Sequence, residues 1–258
     1  MVSAPRLTRA SLPGAVACVA SLLVGCTAEA TSKPKLDPAP SRLVLFVYDR
    51  STSIPDHTLQ LAQRLTSERV MALHHGDRVG GMQLLQLSLA EAPSRWTEDV
   101  PERTVKDVAI ARDSVTRVRF LRDATVLLGR LSDPKGRESI NGTDILSTLH
   151  DVAAELRAYP NHAATLYLFS DMLQSNRQID MENLRLMPPD NWVADAKSGG
   201  RLPDLSGLCV VVVGARVDTE ASQRVKAFWK EYFQATGAVL LDQNYMLRPV
   251  QLPVNPCG

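Results

Sequence analysis

A doubly wound α/β fold, with a mostly parallel central sheet and helices on both faces, is the fold class the sequence predicts from residue 42 onward. Three observations carry this expectation. The apolar runs LVLFVYD, TLYLFSD and LCVVVVGARV lack polar alternation, as strands buried on both faces do. The stretches between them repeat apolar residues at helical spacing. Strand and helix also alternate, and right-handed crossovers then build a parallel sheet between two helical layers.

The first run ends at Asp49. Pro55, at a first-turn position, opens a helix reaching about residue 75, with Leu59, Ala62, Leu65, Val70 and Leu73 on its apolar face. RVGGMQLLQLSL is the next apolar run. Residues 91–120 are mixed, and residues 116–131 read as a helix carrying Phe120, Leu121, Val126 and Leu127. A turn at Asp133, Pro134, Lys135 and Gly136 leads into NGTDILSTLHDVAAELRAY, where Ile145, Leu149, Val152, Ala153 and Leu156 recur at helical spacing. TLYLFSD follows as a buried strand ending in Asp171. Residues 172–207 form an insertion longer than a crossover helix and loop require. After LCVVVVGARV comes a helix, SQRVKAFWKEYFQATG, with Val225, Phe228, Tyr232 and Phe233 inward, and AVLL as a final strand. Residues 42–258 thus make one domain of ordinary size for a doubly wound unit.

Composition narrows the function classes. The chain has 258 residues, 45% hydrophobic and 22% charged, with Lys+Arg 29 against Asp+Glu 28. This is a globular composition. A formal net charge of +1 offers no polycationic surface, which disfavours a nucleic-acid partner. Four Cys in a chain of this length do not make a disulfide scaffold, and no Cys/His cluster has zinc spacing. Any metal must come through oxygen ligands.

The N-terminus reads as an address. Arg6 and Arg9 precede an apolar stretch over residues 12–24, short for a bilayer span but laid out as a secretory signal. It ends Leu23, Val24, Gly25, Cys26, which resembles the lipobox of bacterial lipoproteins. The resemblance implies a signal peptide over residues 1–25 and a mature chain beginning at Cys26 acylated with palmitate-type chains, held on a membrane. Residues 26–41 are polar and Pro-rich, a semi-extended tether. Thr27 in place of Asp leans the expected location towards the outer membrane of a bacterial envelope, facing the periplasm.

In open α/β sheets ligands bind beyond the carboxyl ends of the strands. Three polar clusters stand there: Asp49, Ser51 and Ser53 in a DxSxS pattern before a helix; Gly142, Thr143 and Asp144 before another; and Asp171 at the end of TLYLFSD. Together they resemble the von Willebrand factor type A (VWA) domain and its metal-ion-dependent adhesion site. The resemblance implies that Ser51 and Ser53 ligate Mg²⁺ through their hydroxyls and that Thr143 does so directly or through water. Asp49 and Asp171 would then act largely through water and by hydrogen-bonding the ligands. Hydroxyls with one or two nearby carboxylates suit Mg²⁺, which is small and keeps several waters, and Mn²⁺ is the natural substitute. The helix near Pro55 points its positive dipole end at the site, so the two aspartates supply the offsetting charge. An ion without a directly bound protein carboxylate stays electrophilic, and an Asp or Glu of a protein partner takes the open position. Binding of this kind needs no turnover, so the expectation is a non-enzymatic interaction module.

Other residues carry two readings each. Asp144 reads foremost as a helix cap. His74 and His75 sit where a helix C-terminus favours cations. Arg50 either rims the site for a partner or is a solvated arginine. Trp192 is either an exposed partner anchor or a core tryptophan under the insertion. Cys209 and Cys257 either pair in an oxidising periplasm or remain free thiols. A strand-terminal Asp followed by a helix also fits a haloacid-dehalogenase-type phosphatase, but Ser51 stands where that chemistry needs an acid. A third alternative is a scaffold whose metal is purely structural.

Overall fold

The computed structural model describes residues 41–84, 95–102, 110–135, 142–176, 179–181, 183 and 186–258. The signal peptide, Cys26 and the tether as far as residue 40 lie outside the described residues. Among the described residues no helix is long and apolar enough to cross a membrane.

The element order is β1 (Arg42–Asp49), α1 (Asp56–Met71), β2 (Arg78–Leu84), β3 (Arg95–Asp99), α2 (Ile110–Leu131), α3 (Ile145–Ala158), β4 (Ala163–Phe169), α4 (Trp192–Ser198), β5 (Leu208–Val213), α5 (Glu220–Ala235) and β6 (Tyr245–Met246). The strands form one six-stranded sheet in the order β3-β2-β1-β4-β5-β6. Every pairing is parallel except β2 with β3. The chain is therefore the doubly wound, mostly parallel α/β fold that the sequence predicts.

The period of two along β1 divides the core between the two faces. Leu43, Leu45 and Val47 pack with Leu149 and Val152 of α3 and with Val225, Trp229 and Phe233 of α5. Val44, Phe46 and Tyr48 pack with Ala62 and Leu65 of α1 and with Leu121 and Leu128 of α2. Across the β1–β4 seam, Phe46 stacks on Tyr167 and Tyr48 on Phe169, each with ring centroids 5.4 Å apart. α2 lies so close to β2 that a Cβ on Gly81 would meet Leu128 at 2.3 Å and Leu131 at 2.8 Å, so a larger residue there would push both leucines aside.

Several boundaries differ from the sequence reading. α1 ends at Met71, before the two histidines; the His74 amide instead donates to Asp77 (2.8 Å), and the His75 ring contacts the Pro101 carbonyl (2.6 Å). α2 begins at Ile110 rather than near 116. AVLL is not a strand: Val239 makes a single parallel bridge with Cys209, and the sheet ends instead with Tyr245–Met246. On α5 Val225, Tyr232 and Phe233 are buried as expected; Trp229 is fully buried as well, its indole finding an acceptor in the core, while Phe228 is only half-buried. The 172–207 insertion contains α4, and the edge strand β3 arises from the mixed stretch.

Candidate metal centre

From β1 the chain crosses through α1 to β2 on one side, and from β4 it moves to β5 on the other. The carboxyl ends of β1 and β4 therefore flank the point where strand order reverses, where doubly wound sheets open a crevice. Parallel register places Tyr48 beside Phe169, so Asp49 and the Ser170–Asp171 pair leave the sheet side by side.

Asp49 is fully buried. Its Oδ1 accepts from the Ser51 amide (2.9 Å) and, at 3.4 Å, from the Thr143 hydroxyl; its Oδ2 accepts from the Ser170 hydroxyl at 2.7 Å. Burial pushes the pKa of its carboxyl up, against the lowering effect of hydrogen bonds from Ser51, Ser170 and Thr143. Among the described residues no Lys, Arg or His pairs with it. A buried carboxylate of this kind calls for a cation or a proton.

The Ser51 and Ser53 hydroxyls lie 2.9 Å apart, Ser51 buried and Ser53 exposed. The backbone between them is a turn leading to Pro55, closed by the Ile54 amide on the Ser51 carbonyl at 3.1 Å. Both hydroxyls thereby converge at the sheet edge, one against Asp49 and one towards solvent.

Thr143 is delivered by a different device. Its backbone exchanges both hydrogen bonds with Ser175 (2.9 and 2.8 Å), tying the loop before α3 to the chain leaving β4. Beside it Asp144 caps α3, accepting from the Ser147 amide at 3.2 Å and the Ser147 hydroxyl at 2.8 Å. Buried Gln174 completes the cap: its Oε1 accepts from the Ile145 (2.7 Å) and Leu146 (3.2 Å) amides, and its Nε2 donates to Asp144 at 3.0 Å.

Asp171 is half-buried, its Oδ1 accepting from the Leu173 amide at 3.0 Å. The next residue, Met172, has φ 67, in the left-handed region that a long side chain rarely occupies. The Met172 amide donates to the Ser170 hydroxyl (2.9 Å), and its carbonyl accepts from the Trp229 indole (2.8 Å), so both sides of the strained turn are held.

The structure therefore links Asp49, Ser51, Ser53 and Thr143 by hydrogen bonds and brings Asp171 to the same edge. Ser53 and Asp171 both line a cleft of about 810 Å³ that also runs past Gly214 and the start of α5. Arg50, half-buried, sends its guanidinium to the Lys135 carbonyl at 2.5 Å. Trp192 is not at this edge: half-buried at the start of α4, it packs on Phe228 with centroids 5.6 Å apart, under the Arg201 guanidinium. Cys209 and Cys257 are joined in a disulfide with their Cα atoms 5.9 Å apart. Ser170, Met172 and Gln174, which organise the site, were not singled out from sequence. The signal for Ser170 was a hydroxyl at the end of an otherwise apolar run.

Among the described residues no group of three His, Cys, Asp or Glu side chains converges. The donor set at this edge is three hydroxyls with two carboxylates, which fits a small, hard, partly hydrated cation and does not fit zinc.

No protein-family model and no curated protein matches the chain. Among solved structures, a von Willebrand factor type A protein from Catenulispora acidiphila is similar at 12% identity and a TM-score of 0.36. The similarity covers 77% of this chain and 43% of that one, so the chain spans less than half the length of that structure. At that level the likeness adds nothing to the topology already described.

Proposed function

We propose that this chain is a lipid-anchored, VWA-like interaction module of a bacterial envelope that captures a protein partner through a Mg²⁺-bridged carboxylate. The observation that carries the reading is Asp49: a fully buried carboxylate with no cationic side chain paired to it among the described residues, at the topological switch point, ringed by hydroxyl donors. Ser51, Ser53 and Thr143 would hold the ion, with Asp49 and Asp171 offsetting its charge and orienting the hydroxyls. When bound, Mg²⁺ supplies an electrophilic position that an Asp or Glu of the partner fills. Asp49 does not suit a nucleophile, because it is shut from solvent and both its oxygens accept hydrogen bonds; this argues for binding and against phosphoryl transfer. Cys26 and the tether would hold the module at the membrane, with Mn²⁺ able to replace Mg²⁺.

The test is affinity capture from envelope extracts with Mg²⁺ and with chelator, using wild type and Asp171→Ala, with thermal unfolding measured on the same samples. Retention lost in chelator and in the variant, with every sample folded, supports the reading. Equal retention in all four conditions sinks it.

A further inference from the structure

The cleft that begins at Ser53 and Asp171 has a chemistry of its own. Its wall includes Leu173, Val225 and Leu247, and Leu247 is 47% exposed although apolar. Two arginines line it, in different states. Arg216 is closed by Asp218, its Nε and Nη2 donating to the two carboxylate oxygens at 3.0 and 2.7 Å. Arg248 donates from Nη2 to the Nε2 of His57 at 2.6 Å. An imidazole brings no negative charge to this contact, so the guanidinium charge is not compensated there. Among the described residues no carboxylate pairs with Arg248.

With Arg216 answered by Asp218 and Asp171 by the ion, the cleft retains one positive charge, beside apolar surface and next to an electrophilic metal position. Its volume of about 810 Å³ exceeds what one carboxylate needs. It lies within the roughly 300–1,000 Å³ of pockets that enclose a ligand of several groups. We infer that the cleft takes a partner segment with two acidic side chains flanking an apolar one, the first on the ion, the apolar residue over Leu173, Val225 and Leu247, and the second on Arg248. This rests on the reading of the cation site given above and adds to it the composition of the partner segment.

The experiment uses the mature chain with Mg²⁺ and three capped synthetic peptides, Asp-Leu-Glu, Asp-Leu-Ser-Glu and Asp-Leu-Ser-Ser-Glu, each with a control in which Glu is replaced by Gln and another in which Asp is replaced by Asn. Affinities are read by calorimetry or amide chemical shifts. At one spacing or more, the Glu-to-Gln change should weaken binding about tenfold to wild type and less than about twofold to Arg248→Met, as expected for removing a charge-assisted pair. Equal binding of Glu and Gln peptides at every spacing overturns the inference, as does a Glu-to-Gln loss that persists in Arg248→Met. Arg248 is exposed, so its replacement leaves the core intact. Titration of Mg²⁺ without peptide separates the two levels. Mg²⁺ binding with Asp-dependent but Glu-independent capture removes the inference alone, whereas absence of Mg²⁺ binding removes the cation site and the inference together.

Discussion

The Ser170 hydroxyl donates to Asp49 Oδ2 at 2.7 Å while accepting the Met172 amide at 2.9 Å, so one buried side chain sets both the carboxylate of β1 and the turn that carries Asp171. Ser170→Ala removes a hydroxyl donor from a fully buried carboxylate and frees the turn. Stability should fall by about 1–3 kcal/mol in denaturant unfolding. Ser170→Thr, which keeps the hydroxyl, should recover part of that loss. An alanine variant as stable as wild type would mean that the contact contributes nothing net.

Met172 allows the strain of that turn to be measured. At an ordinary position Ala is more stable than Gly by a few tenths to about 1 kcal/mol, because glycine loses more backbone freedom on folding. At φ 67 the order should invert, since an L side chain is disfavoured there by about 1–2 kcal/mol. Both variants lose the same buried methionine side chain, so Met172→Gly should unfold at higher denaturant than Met172→Ala. If alanine proves the more stable, the left-handed turn is not retained in solution.

The parts of the fold legible in sequence were those written as period or as unbroken apolarity. β1, β4 and β5 are runs so apolar that only burial on both faces accounts for them, and the helical spacing of α3 is plain. β3 was not legible: Arg95–Asp99 is half-exposed edge, RWTED, and its pairing with β2 rests on backbone hydrogen bonds that any side chain permits. The final strand was misplaced because AVLL is apolar enough for a strand, but it makes a single bridge to β5, Val239 opposite Cys209 with hydrogen bonds to Leu208 and Val210, and the pairing goes no further. At the site, the hydroxyls and aspartates lie at strand ends and within motifs. Gln174 matters only because the chain folds back to α3, a relation across about 30 residues that no local pattern encodes.

At the opposite edge of the sheet, Asp77 accepts from the Arg42 amide (3.0 Å), from Arg42 Nε and Nη2, and from the His74 amide (2.8 Å). Burial raises its pKa, but the hydrogen bonds and charge of Arg42 and the His74 amide outweigh it and hold the carboxyl below the usual range. A pKa depressed in the fold gives stability that is present above the unfolded value of about 4 and lost as pH falls through the folded value. Asp77→Asn should therefore cost about 2 kcal/mol near pH 7. The gap between variant and wild type should close as unfolding is followed to lower pH. A pH-independent gap would assign the loss to packing.

The tail beyond β6 is held by the Cys209–Cys257 disulfide, by the Tyr167 hydroxyl on the Pro253 carbonyl (2.5 Å) and by Asn244 on the Pro256 carbonyl (3.0 Å). Closing a loop between cysteines 48 apart in sequence removes unfolded-state entropy worth at most about 4 kcal/mol. Cys257→Ser should lower the unfolding midpoint under oxidising conditions and leave no further loss on adding reductant. Wild type treated with reductant should fall to the same midpoint. Identical midpoints for oxidised wild type and Cys257→Ser would show that the side-chain contacts alone hold the tail.

Gln174 joins the scaffold to the proposed chemistry. Its amide spans from the first amides of α3 to Asp144, and its neighbour Ser175 pairs with the backbone of Thr143, so the position of the Thr143 hydroxyl depends on this cap. Gln174→Glu keeps the size and the acceptor but sets a second carboxylate against Asp144, where like charges in a buried site repel. Gln174→Ala removes the cap without adding charge. If Thr143 contributes to holding Mg²⁺, both variants should weaken Mg²⁺ binding, by about tenfold for the loss of one well-placed ligand, beyond any change in folding. Thr143→Ala supplies the comparison: Gln174→Ala combined with Thr143→Ala should bind Mg²⁺ no more weakly than Thr143→Ala alone, because the first substitution then has nothing left to misplace. Calorimetric titration of wild type and the four variants decides the matter, and additive losses in the double variant would show that Gln174 serves the fold of α3 without serving the site.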